Sequence, residues 1–267
     1  MNITIGKPWG VSEKGGRLNN EDSIYPMPEA INTNQNLFLV CDGVGGSERG
    51  EVASSLACES FQSYFDTFSE GEVDSNLINK TIHYTEACFD NYVVAHPEAK
   101  GMATTLTMLY IGTNGITVAH VGDSRIYQIR DNRILFKTED HSLVNMWVKL
   151  GKITPEEAVH HPQRNIITRA IQSSEHPTEA DVALLSDIQA GDYFFMCTDG
   201  VLEHLSDDDL VRIFADNSSP EAIKNILLES CSGKTRDNYS FYIIPIQNVL
   251  DSVGFKQNIL SLFYSFV

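Results

Sequence analysis

Aspartates followed by glycine, or preceded by it, where apolar runs stop are the residues of this sequence best suited to chemistry. The run Phe38-Leu39-Val40-Cys41 ends in Asp42-Gly43-Val44-Gly45-Gly46, and Tyr193-Phe194-Phe195-Met196-Cys197-Thr198 ends in Asp199-Gly200. Val118-Ala119-His120-Val121-Gly122 leads into Asp123-Ser124-Arg125. An aspartate at the end of a buried strand loses its hydration unless something compensates the charge. A glycine after it lets the backbone turn sharply and brings a carbonyl close to a ligand. Any single Asp-Gly is better explained as a turn or a helix cap. Three such sites, with Asn20-Glu21-Asp22 upstream and Arg236-Asp237-Asn238 downstream, point further. Carboxylates converging from strand ends repel one another, and a hard divalent cation with oxygen ligands relieves that repulsion.

The elements that must hold these acids are legible as patterns. Strands are expected over Asn36–Cys41, Ala103–Ile111, Ile116–Val121, Arg125–Arg130, Ile166–Ile171, Asp181–Leu185, Tyr193–Cys197 and Tyr239–Ile246, from period-two or fully apolar stretches. Turn signals at Thr113-Asn114-Gly115 and Arg130-Asp131-Asn132 join consecutive strands so tightly that the neighbours must be antiparallel. Helices are expected over Glu48–Phe68 and Asp74–Ala95, then over Leu143–Gly151, Pro155–His160, Ser206–Asp216 and Pro220–Ser230. Strands and helices come in groups rather than in strict alternation, so the fold class is α+β and not a doubly wound sheet.

The chain has 267 residues, 42% of them hydrophobic, enough for one domain with a sizeable core. A net charge of -17 argues against nucleic acid as a partner, and bound cations would neutralise part of it. The five cysteines are odd in number and lack any C-x-x-C spacing, which suits small buried side chains rather than disulfides or a thiolate zinc site. No stretch is long and apolar enough for a membrane span, and the first residues do not read as a secretory signal, so a cytoplasmic location is expected. Gly233-Lys234-Thr235 imitates the end of a phosphate-binding loop, but Leu228 stands where its first glycine should be.

From about Trp9 to Ile246 the sequence resembles the metal-dependent PPM, or type 2C, serine/threonine protein phosphatases of the bacterial type. Motifs similar to theirs follow in the family's order: Arg17-Leu-Asn-Asn-Glu-Asp22, Leu39-Val-Cys-Asp-Gly-Val-Gly-Gly46, Gly101-Met-Ala-Thr-Thr-Leu106, His120-Val-Gly-Asp-Ser-Arg-Ile-Tyr127, Glu139-Asp-His-Ser142, Thr198-Asp-Gly-Val201 and Arg236-Asp-Asn238. The resemblance implies two packed antiparallel sheets flanked by helix pairs, over a domain of residues 1–247. It implies that Asp42 bridges two Mn²⁺ or Mg²⁺ ions, with the Gly43 carbonyl on one and Asp199 and Asp237 on the other. Asp22, with Glu21, would hold metal-bound waters, Asp123 would belong to a looser third site, and Arg17 would bind the substrate phosphate. The implied substrates are phosphoserine and phosphothreonine proteins made by a companion kinase, and a monomer is expected.

A hydroxide shared by two cations is the nucleophile such a site implies, with Arg17 clamping the phosphoryl oxygens. Cys41 and Cys197 look like buried strand ends rather than nucleophiles. Val44 stands where many eukaryotic members have a histidine, which leaves the general acid between water and a loop histidine such as His161. His120 and His141 read as structural, and Thr104 and Thr105 as strand packing. Trp147 through Lys152, with residues 155–165, take the place of the family's variable flap. A nuclease is disfavoured by the charge, and an inactive partner-binding protein by the intact acidic set. Residues 248–267 are expected to form a C-terminal helix, with Val249, Leu250, Val253, Leu260, Phe263, Tyr264 and Val267 sharing one face.

Overall fold

Strands that are apolar at every position must be covered on both faces, and that requirement sets the layering of this molecule. The computed structural model describes residues 1–44, 49–68, 72–215 and 219–250. The chain opens with strands β1 (Asn2–Ile5), β2 (Trp9–Glu13), β3 (Asp22–Tyr25) and β4 (Leu37–Asp42), followed by helices α1 (Gly50–Phe68) and α2 (Ser75–Ala95). Four strands come next: β5 (Leu106–Ile111), β6 (Ile116–Val121), β7 (Arg125–Arg130) and β8 (Arg133–Lys137). Short helices α3 (Leu143–Lys149) and α4 (Pro155–Val159) precede β9 (Asp181–Leu185) and β10 (Tyr193–Cys197). The last elements are α5 (Asp199–Leu202), α6 (Asp207–Ala215), α7 (Pro220–Cys231) and β11 (Tyr239–Leu250).

One sheet runs β1-β11-β10-β7-β8 with β2 also on β11, and the other runs β3-β4-β5-β6-β9. Every pairing within them is antiparallel. Side chains alternate along β4: Phe38 and Val40 point between the sheets, against Phe194, Met196, Tyr242 and Ile244 of the facing strands. Leu39 and Cys41 point outward, under Ala57, Phe61, Ile78 and Ile82 of α1 and α2. On the opposite outer face, Leu210, Phe214, Ile223 and Leu227 of α6 and α7 cover Tyr127, Phe195, Phe241 and Ile243. Each such large side chain contributes about 1.5–3 kcal/mol on full burial, so the two-sided apolar runs hold the four layers together.

Local signals start the helices. Asp74 caps α2 by accepting from the Leu77 N–H at 2.9 Å, and Thr154 and Glu157 form a reciprocal capping box on α4. The α+β expectation and the paired antiparallel sheets stand. The strand expected over Ile166–Ile171 does not form. That segment makes only single bridges, Ser142↔Ile167 and Thr104↔Ile171, because its two ends pair with different partners and no ladder can propagate. The helix expected from Asn248 does not begin there either. Asn248, Val249 and Leu250 continue β11 and pair with Thr4, Ile3 and Asn2. Residues 251–267, and with them most of the expected helical face, lie outside the described residues.

Candidate metal centre

The acids gather at one end of the sandwich because several strands stop there. Asp22 opens β3 and Asp42 closes β4, and the two stand directly opposite each other in register. The main chain of Asp42 is pinned on both sides: its N–H donates to Thr105 Oγ1 at 3.0 Å, and its carbonyl accepts from Thr104 Oγ1 at 2.9 Å and from the Thr105 N–H at 2.8 Å. Gly43 is packed so closely that a Cβ would lie 2.3 Å from the Gly50 carbonyl oxygen. From the other sheet, β10 ends at Cys197, Thr198 follows it, and Asp199 starts α5. Asp237 sits just before β11, in the turn where Asn238 Oδ1 accepts from the Glu21 N–H at 2.9 Å. Asn238 Nδ2 donates to the carbonyls of Lys14 and Asn19, each at 2.7 Å, and so ties the loop carrying Arg17 to this strand start. Arg17 Nη2 reaches Asp237 Oδ2 at 2.7 Å.

Burial and mutual repulsion raise the acids together. Burial pushes the Asp42 carboxyl well above its usual range, reinforced by Asp22, Asp199, Asp123 and Asp237. Burial lifts Asp22 to about 7, although Ser240 and the Thr198 hydroxyl, 3.0 Å from Asp22 Oδ2, hold it down. Asp123 rises to about 8 through burial and the charges of Asp199 and Asp140. Asp199 rises to about 6 through burial and the charges of Asp237 and Glu203. Burial also raises Glu21. Among the described residues, Asp22 Oδ1 is buried with no hydrogen-bond partner. An all-oxygen donor set of like charges with an orphaned carboxylate oxygen fits hard divalent cations.

A cavity of about 1040 Å³ opens beside these acids, reached by Arg17, Asp123, Asp199 and Asp237. Val144, Val148, Pro155, Ala158, Leu202 and Leu205 give it an apolar side. Arg125 braces the wall through a bidentate pair to Asp140 at 2.6 and 2.7 Å.

The family model for Protein phosphatase 2C matches residues 10–226. The chain belongs to the protein phosphatase 2C family. It is 31% identical over 231 residues to the serine/threonine protein phosphatase PstP of Mycobacterium tuberculosis, an alignment covering 86% of this chain and 43% of the relative. The chain thus spans less than half the length of that relative. It is 35% identical over 202 residues to the protein phosphatase PhpP of Streptococcus pneumoniae, covering 73% of this chain and 78% of PhpP. The crystal structure of the M. tuberculosis PstP phosphatase superposes with a TM-score of 0.80 at 29% identity, covering 92% of this chain and 100% of that one. The PstP catalytic domain in complex with 2 manganese ions superposes at 0.74 and 27% identity, covering 92% of this chain and 100% of that one.

Within this type 2C fold, Arg17, Glu21, Asp22, Asp42, Gly43, Asp123, Asp199 and Asp237 come to the same end of the sandwich from segments far apart in the chain. Gly45 and Gly46 lie outside the described residues. His161 does not join the others: its ring packs edge-on against Trp147 with centroids 5.1 Å apart, and it is not among the residues lining the cavity. Local sequence gives Thr198 and Asn238 no role of their own, although both stand in the quoted motifs. Each anchors an acid or its loop through partners 176 to 224 residues away, a relationship that no local spacing encodes.

Proposed function

We propose that this chain is a metal-dependent phosphoprotein phosphatase that hydrolyses phosphoserine and phosphothreonine. The observation that carries the reading is the convergence of Asp22, Asp42, Asp123, Asp199 and Asp237, with a buried, unpartnered Asp22 oxygen, behind a cavity that Asp123, Asp199 and Asp237 line. In this reading Asp42 would be the ligand common to two Mn²⁺ or Mg²⁺ ions, with the Gly43 carbonyl, Asp199 and Asp237 as the further groups that would hold them. Asp22 and Glu21 would hold water behind those ligands, and Asp123 would belong to a weaker third site. The manganese ions named for the PstP domain support the choice of cation. When bound, such ions supply hydroxide near neutral pH and offset phosphate charge.

The chain's own residues do the rest. Arg17, half-exposed at the cavity wall, presents a planar fork of donors that matches two phosphoryl oxygens, where charge spreads as the P–O bond breaks. Thr104 and Thr105 hold the Asp42 backbone, so that its carboxylate need not reorganise during the reaction. The apolar side of the cavity accepts the peptide around the phosphorylated residue. With Val44 in place of a histidine and His161 turned to Trp147, water is the proton source for the leaving oxygen. An inactive partner-binding role finds no support, since Arg17 and the acids that would hold metal are all in place.

Phosphoproteins and a companion serine/threonine kinase are the partners this activity calls for. Five free cysteines suit a reducing cytoplasm, and we take the protein to act there as a monomer. No helix among the described residues is long and apolar enough to cross a membrane. Purified protein with Mn²⁺ is expected to hydrolyse p-nitrophenyl phosphate and phosphothreonine peptides. Chelator, Asp42→Asn or Asp199→Asn is expected to stop it. Equal turnover in chelator, or none with metal, would refute the proposal.

A further inference from the structure

One residue, His141, holds the Asp123 loop at both peptide groups of Gly122. The His141 N–H donates to the Gly122 carbonyl at 2.9 Å, and the Gly122 N–H donates to His141 Nδ1 at 3.1 Å. Gly122 has a φ of 103°, in the region that favours glycine, and a Cβ there would lie 2.6 Å from Thr105 Cγ2. Across the imidazole, Nε2 is 3.2 Å from Asp181 Oδ2, while Arg169 Nη1 donates to Asp181 Oδ1 at 2.7 Å. The ring stacks on His120 with centroids 4.5 Å apart, and His120 Nε2 donates to the Glu139 carbonyl at 2.8 Å. The His141 carbonyl accepts from the Thr168 N–H at 2.7 Å.

His120, His141 and Asp181 bring three donor atoms within 4.8 Å of one another, a spacing that a cation could use. The hydrogen bonds argue for a different role. Because Nδ1 accepts from Gly122, the neutral ring carries its proton on Nε2, and that N–H donates to Asp181. No lone pair is left on Nε2 for a metal. Arg169 Nη1 also lies 3.3 Å from Nε2, but two donors cannot bond each other, so the guanidinium serves Asp181.

We infer that His141 is a positioning residue for Asp123, in which the chain Asp181–His141–Gly122 fixes the loop that aims the Asp123 carboxylate at the cavity. This rests on the proposed metal-dependent reading, with Asp123 at a weaker third cation site. Groups that orient a ligand from behind cost about 10–100-fold in metal affinity when removed. Loss of the Gly122 bond frees the loop on which Asp123 sits, whereas Asp42, Asp199 and Asp237 stand on other strand ends and keep their places.

Calorimetric titration with Mn²⁺ alone, together with electron paramagnetic resonance of the free ion, reads the sites apart. In His141→Leu, which loses both ring bonds, the weak site is expected to fall about tenfold in affinity while the tight sites hold. His141→Asn keeps an acceptor near the position of Nδ1 and is expected to recover most of the loss. Asp181→Asn, at a half-exposed side chain, should shift the weak site in the same direction by a smaller factor. An unchanged weak site in folded His141→Leu, or equal loss at every site, overturns the inference. Should His141→Leu fail to fold, an unchanged weak site in Asp181→Asn overturns it. A wild-type protein that binds two ions and no third overturns it and leaves the phosphatase reading standing. One that binds no Mn²⁺ at all overturns the phosphatase reading as well.

Discussion

Asp22 and Asp42 face each other in register across β3 and β4, and Asp22 Oδ1 is buried there without a partner. The pairing makes the metal-free protein sensitive to pH in a definite direction. Asp22, Asp199 and Asp123 titrate near 7, 6 and 8 in the fold, against about 3.9 in an unfolded chain. Between those values the native state holds more protons than the unfolded one, so their stability contribution is full below about pH 4 and lost as pH climbs through about 6 to 8. Asp187, held low by its bonds to Arg130 and Gln189, titrates below this window. In chelator the Tm should therefore fall between pH 5 and pH 8, and a flat or rising Tm would contradict the electrostatic account. Mn²⁺ at about 100 times its Kd should restore about 2.7 kcal/mol at pH 8.

Asp42→Asn separates stability from function. The amide keeps the volume and the pinned backbone but removes an acid whose charge burial, reinforced by the neighbouring aspartates, opposes in the wild type. Metal-free Asp42→Asn at pH 8 should melt about 2–4 °C above wild type, equivalent to about 1 kcal/mol. It should show no phosphatase turnover and no Mn²⁺-induced rise in Tm at concentrations that shift wild type. A lower Tm in chelator would show that Asp42 is held by bonds rather than strained by its neighbours.

Arg17 is half-exposed, and its pair with Asp237 is a surface ion pair worth about 0–1 kcal/mol. Arg17→Ala should therefore leave Tm nearly unchanged. Hydrogen bonds to a charged phosphoryl group are worth about 1.5–3 kcal/mol, so kcat/KM should fall about tenfold or more. Arg17→Lys should recover only part of it, because an ammonium cannot match two oxygens at once. Steady-state kinetics with p-nitrophenyl phosphate measure both.

How far the site was legible depended on whether a residue announces itself locally. Asp42 and Asp199 do, because an apolar run stopping at Asp-Gly reports burial and a turn in consecutive letters. β6 and β7 are legible at their observed limits for the same reason: tight turns bound apolar alternation on each side. β8, exposed at alternate positions, and the four-residue β3 carry too little pattern to stand out from loops. Ile166–Ile171 has a strand's composition, but tertiary partners divide it into single bridges. The long final strand outruns its apolar core because β1 offers a partner as far as Leu250, and that pairing is invisible without the first residues of the chain beside it.

Gly200 offers the sharpest test of how Asp199 and Asp237 are brought together. A Cβ at Gly200 would stand 1.9 Å from the Asn238 carbonyl oxygen and 3.4 Å from the Asp237 Cβ. The obstructing atom is backbone, and its strand is tied back through Asn238 to the carbonyls of Lys14 and Asn19, so no side-chain rotation relieves the contact. Gly200→Ala must push α5 and the start of β11 apart, and it should destabilise by about 1–3 kcal/mol. The displacement separates Asp199 from Asp237, so Mn²⁺ affinity should fall in this variant even at temperatures where circular dichroism reports it folded. By contrast, Gly233→Ala adds a Cβ that meets nothing within 4 Å and strains only a residue at φ 68°, so it should lower Tm without weakening metal binding. Equal metal affinity in folded Gly200→Ala would mean that the two aspartates do not depend on this close approach.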